Sequence, residues 1–180
     1  MADKYQAVFG AIFMPTSVIN LVAGFVIRPY ITKLSDQWER NALPEFAGTV
    51  GRLAAIIAAL TALAVGGAWI LGIPVLSMLY PKIAYMLREC RLALAFIILG
   101  GAFNAYVNLF YYALIIMQEQ KRIFLGYVGV TAAALLISSP CVRAAGLLGG
   151  SLSYLLLMAA LTACFGLTSL VMYRRRVRGI

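Results

Sequence analysis

Histidine is absent from this 180-residue chain, and only six residues are acidic: Asp3, Asp36, Glu39, Glu45, Glu89 and Glu119. Without an imidazole, and with its carboxylates scattered, the sequence offers no nucleophile with a base, no paired carboxylates and no phosphate-cradling glycine loop. The chain is therefore read as something other than an enzyme. Three cysteines, Cys90, Cys141 and Cys164, lack the short spacing of a metal site. They are read as packing residues, and no metal or other cofactor is expected. Charge of either sign is scarce, at 12% of residues against 63% hydrophobic, which is too little to cover the surface of a soluble domain.

Apolar length fills the space that charge leaves. Five stretches run from about Ala7 to Ile27, Leu53 to Leu71, Leu92 to Met117, Ile123 to Ser139 and Gly146 to Met172. Most approach the roughly 20 apolar residues that a membrane-spanning helix needs. The expected fold is all-α: one polytopic membrane domain over residues 1–180, a bundle of about five transmembrane helices. The first stretch lacks the basic n-region of a signal peptide and an A-x-A-like cleavage site before a mature domain, so it is read as a permanent span.

Basic residues give these spans a direction. If the stretches alternate across a bilayer, one side receives Arg28, Lys33, Arg40, Arg52, Lys121, Arg122, Arg174, Arg175, Arg176 and Arg178. The other side receives Lys4, Lys82, Arg88, Arg91 and Arg143. The positive-inside rule then puts the C-terminus in the cytoplasm and the N-terminus outside. Because these residues flank apolar spans, the formal net charge of +9 points to a lipid bilayer as partner and not to nucleic acid.

Between the spans, Ile31, Leu34 and Trp38 recur at helical spacing among charged residues, which predicts a short amphipathic helix over 30–40 lying at the membrane interface. Val75 to Tyr80 is apolar but too short to cross, and belongs at the outer interface. Pro15 predicts a kink in the first span. Pro140 is expected to end the fourth, with a short outer link before Gly146. Gly146, Gly149, Gly150 and Ser153 form a small-residue face suited to close helix packing, so leucine should be tolerated worse at Gly150 than at Gly126. In the third span, Gly100, Gly101, Asn104, Asn108 and Tyr111 share one face.

The order of several segments adds a resemblance. Met14-Pro15-Thr16-Ser17 is followed by Phe25-Val26-Ile27-Arg28-Pro29, which leads into Leu34-Ser35 and Trp38. Then come Gly72-Ile73-Pro74-Val75-Leu76-Ser77-Met78-Leu79-Tyr80, Tyr111-Tyr112-Ala113-Leu114-Ile115-Ile116-Met117 with Gln120-Lys121, and Gly146-Leu147-Leu148-Gly149-Gly150-Ser151. Over nearly the whole chain this resembles the C-terminal part of bacterial lipopolysaccharide and polysaccharide flippases, of the multidrug, oligosaccharidyl-lipid and polysaccharide exporter superfamily. The resemblance implies helices eight to twelve of a twelve-helix flippase in the bacterial inner membrane. It also implies translocation of an undecaprenyl-pyrophosphate-linked oligosaccharide through a cavity between two lobes. A separate N-terminal lobe protein would complete that cavity, and the chain alone is expected to be inactive. The alternatives are a fragment of a multidrug exporter of the same superfamily, or a small helical membrane protein that works by assembly with a partner.

Five side chains are candidates for the substrate path. Arg28, at the cytoplasmic end of the first span, and Arg52, at the start of the second, either grip a pyrophosphate or snorkel to lipid headgroups. Asn20, Asn104 and Asn108 either line a hydrated sugar path or bond to neighbouring helices. Tyr106, Tyr111 and Tyr112 either stack on sugar rings or pack. No acidic residue lies deep in any span, so a carboxylate for ion coupling would have to come from the partner lobe.

Overall fold

The computed structural model describes residues 16–17, 19–67, 70 and 91–178. Among them the chain is almost entirely helical, without strands, and four helices are long and apolar enough to cross a membrane. The first span is represented by α1, helical over 19–27, which passes through a 3₁₀ turn at Arg28–Tyr30 into α2, Ile31–Glu39. The spans that follow are α3 (Leu43–Gly67), α4 (Arg91–Ile116), α5 (Gln120–Arg143) and α6 (Ala145–Val177). Pro15, the patch Val75–Tyr80 and the basic residues Lys4, Lys82 and Arg88 lie outside the described residues.

Side-chain pairings give the helix directions. The Thr16 hydroxyl donates to the Ile97 carbonyl (3.2 Å), and the Thr162 hydroxyl donates to the Phe103 carbonyl (2.9 Å). Gly166 faces Phe110. Residue numbers therefore rise together along α4 and α6, and α1 runs the same way, since Thr16 meets the first part of α4 while the chain after α1 brings Trp38 to Arg176 at the end of α6. Tyr127 stacks edge-on against Phe165 with ring centroids 5.2 Å apart, and Arg122 sets Nη1 against the Met172 sulfur, so α5 runs antiparallel to α6. The Tyr106 hydroxyl donates to the Ala54 carbonyl (3.0 Å) on α3, which descends from the end where Trp38 packs on Phe46. This is the serpentine path expected of a multi-pass membrane bundle. It gathers Arg28, Lys33, Arg40, Lys121, Arg122 and the arginines of the α6 terminus at one end, the basic end, and puts Arg143 at the other.

Helix α4 is the hub: more than half of its apolar core stretch is buried inside the bundle, whereas that of α5 is almost wholly exposed. Its buried Ile97, Ala105, Leu109 and Leu114 pack toward the other helices. On the outside, Leu135 and Leu136 of α5 are 77% and 76% exposed, with Phe124, Leu63 and Leu167 comparably bare. So much apolar surface would aggregate in water, whereas hydrocarbon solvates it.

Three expectations change. Helix α3 begins at Leu43, ten residues before the apolar stretch that announced it, because Leu43, Phe46 and Thr49 bury one face of an amphipathic first part. Arg52 consequently lies about 13 Å along the helix from Leu43, inside it and not at its start. The link expected after Pro140 is also missing. The helix continues through Pro140 and reverses at Gly146 (φ 55°, ψ −126°), a conformation that glycine alone adopts without strain. Gly149 then packs against the Cys141 carbonyl, where no side chain fits. Gly126, expected to be the tolerant glycine, is buried, and a Cβ there would stand 2.5 Å from the Phe165 ring.

Candidate substrate-path groove

One face of α1 carries the polar residues of the first span. Ser17, Asn20, Gly24 and Arg28 recur at steps of three and four, so they stack along one side of the helix. Together with Leu21 and Phe25 they line a groove of about 290 Å³. Gly24 supplies its width, since nothing lies within 4 Å of where a Cβ would project. Leu21 and Phe25 are 62% and 64% exposed and form apolar flanks.

Asn20 holds its position by donating Nδ2 to the Thr16 carbonyl (3.0 Å), one turn back. Thr16 is itself buried and anchored to α4 through Ile97. The Asn20 amide oxygen is buried yet accepts no hydrogen bond among the described residues. An unsatisfied acceptor of this kind is costly, and a turn of the side chain toward the groove would let a hydroxyl or water there relieve it. Arg28 lies about 12 Å along the helix from Asn20, at the basic end. It is exposed and has neither an ion pair nor a hydrogen bond among the described residues.

The five sequence candidates are only partly brought together. Asn20 and Arg28 share the α1 groove. Asn104 and Asn108 are half-buried on α4. At 100° per residue they fall about 60° and 20° around the helix from Gly101, the glycine that meets Thr16, so both lie toward the α1 side of the hub. Arg52 stands apart, exposed on α3 and outside the groove. Tyr106 is committed to the Ala54 carbonyl, and Tyr111 packs edge-on with both Tyr112 and Tyr127.

The sequence pattern did not mark Gly24, Leu21 or Phe25 as substrate-path residues. The regular spacing of Ser17, Asn20, Gly24 and Arg28 was the available signal, and it was legible once the glycine was counted as part of the face. No known protein family, curated protein or solved structure matches this chain.

Proposed function

We propose that this chain is the C-terminal part of a bacterial inner-membrane flippase for undecaprenyl-pyrophosphate-linked oligosaccharide, with the basic end in the cytoplasm, and that it is inactive without an N-terminal lobe. The observation that carries the reading is the buried Asn20 amide oxygen in a groove that ends at Arg28, both without a polar partner among the described residues. A substrate that enters from the basic end meets the guanidinium first, which pairs with pyrophosphate oxygens. Sugar hydroxyls that move past Gly24 can then donate to Asn20 as its amide turns toward the groove. Leu21 and Phe25 offer apolar surface beside them. The missing lobe supplies the opposite wall, and alternating exposure of the groove to the two sides moves the cargo. No covalent bond is made or broken, so translocation requires no catalytic residue. An unpaired arginine at the mouth also disfavours the multidrug alternative where the drug is an organic cation.

Co-expression with an N-terminal lobe in a flippase-deficient strain should restore export of the lipid-linked glycan, and the chain alone should not. Export by the chain alone would overturn the partial-lobe reading, and failure with every lobe supplied would reject flippase function. A second reading, assembly with another membrane protein, is favoured by α3. Its side opposite the buried Phe46, Leu53 and Ile57 carries Gly48, Gly51, Ala55, Ala62 and Gly66, all exposed and small enough for another helix to approach closely. Stable co-purification with a protein that is not a transporter lobe would support it.

A further inference from the structure

A second groove, on α5, has no part in the reading above. It is a shallow, open depression of about 440 Å³ lined by Gln120, Lys121, Phe124 and Leu125, and it lies at the basic end. Arg122 and Gly126 on the same helix turn toward Met172 and Phe165 of α6. Helical geometry therefore aims the groove away from α6, toward the surroundings of the bundle. Phe124 and Leu125 are 68% and 65% exposed, and Val128, Leu135 and Leu136 continue their apolar stripe deeper along α5.

Charge at the mouth is positive and uncompensated. The nearest carboxylate in sequence, Glu119, is taken by Arg122 at 3.2 Å, which leaves Lys121 exposed with no ion pair among the described residues. No side chain caps the helix at Glu119, and the Arg122 and Ile123 N–H groups donate to the Glu119 carbonyl, so the N–H groups of Gln120 and Lys121 add donors beside the ammonium. We propose that this groove binds one anionic phospholipid, with its phosphate at Lys121 and an acyl chain laid along Phe124, Leu125 and Val128. Charge complementarity selects the headgroup, and the continuous apolar stripe below the lysine selects a lipid over a free anion. A zwitterionic lipid offers the same tails but no net charge for Lys121.

The test uses the full chain purified in detergent and native mass spectrometry, with phosphatidylglycerol and phosphatidylcholine of identical acyl chains. One phosphatidylglycerol should be retained per chain in preference to phosphatidylcholine. Lys121→Gln should lower its occupancy about fivefold, the effect of one basic residue at an anionic surface. Phe124→Ala should speed its release, and Lys33→Gln, exposed at the same end, should change nothing. Inorganic phosphate in excess should fail to displace the lipid. Both α5 variants alter exposed side chains, and unchanged melting in a neutral detergent establishes that they fold. Equal retention of the two lipids, wild-type occupancy in Lys121→Gln, equal losses in Lys121→Gln and Lys33→Gln, or displacement by phosphate alone would each overturn the proposal.

Discussion

The Arg176 guanidinium lies over the indole ring of Trp38, 4.3 Å from its centroid, and its Nη2 donates to the Trp38 carbonyl at 3.2 Å. The same arginine donates Nε to the Asn41 side chain (3.3 Å). Asn41 turns the chain between α2 and α3 in a left-handed conformation (φ 58°). A single side chain at the end of α6 thereby holds the interfacial helix and the turn that follows it. Trp38 is buried and also packs on Phe46 of α3, so the contact joins α2, α3 and α6 at the basic end.

Removing either member of that pair should loosen the basic end. Arg176→Ala and Trp38→Ala should each destabilise the bundle, and the cation–π contact itself should contribute about 1 kcal/mol of coupling between them. Melting of the single and double variants in detergent measures the coupling. Strict additivity would show that the stacked geometry contributes nothing.

Packing at α5 gives a sharper comparison. Gly126→Leu should cost about 1–3 kcal/mol, because its Cβ already meets Phe165 and the rest of the side chain has no room. Gly129→Leu, on the same helix with nothing within 4 Å of its Cβ position, should be tolerated. Equal melting temperatures for the two variants would refute the α5–α6 contact.

Much of this architecture was written in the hydropathy pattern, because a spanning helix must be apolar along its whole length. The stretch Leu92–Met117 differs from α4 by one residue at each end. Where a helix is amphipathic the signal weakens. The first turns of α3 carry Glu45, Gly48 and Arg52 on their exposed sides and bury only Leu43, Phe46 and Thr49, so average hydropathy misses them and misplaces Arg52. The reversal at Gly146 was hidden for another reason. Proline usually ends a helix, yet Pro140 is accommodated here and a single glycine conformation makes the turn. At the groove, Asn20 and Arg28 were legible as polar residues in apolar surroundings. That Arg52 does not join them depends on the packing of α3, which no local pattern encodes.

Topology offers an independent check on the whole path. The basic residues divide ten to five, and the helix pairings gather Arg28, Lys33, Lys121 and the α6 arginines at a common end, so a reporter fused after Ile180 should read as cytoplasmic. One inserted between Pro81 and Arg88 should read as external. Opposite readings at both sites would reject the orientation.

The proposed groove makes the last prediction. In a strain where export depends on this chain and an N-terminal lobe, Arg28→Gln should lower glycan export about tenfold, the loss expected for a hydrogen bond between charged partners. Arg52→Gln should leave export near wild type, because Arg52 is exposed on α3 and lies outside the groove. Asn20→Leu should also reduce export, since it removes the acceptor for substrate hydroxyls while adding an apolar side chain that a spanning helix accepts. Gly24→Leu should do so by filling the groove, where nothing now lies within 4 Å of the Cβ position. Immunoblots of the membrane fraction would establish equal amounts of each variant. Undiminished export with Arg28→Gln would return that arginine to anchoring lipid headgroups, and equal losses from Arg28→Gln and Arg52→Gln would assign the effect to the field of the basic end and not to the groove.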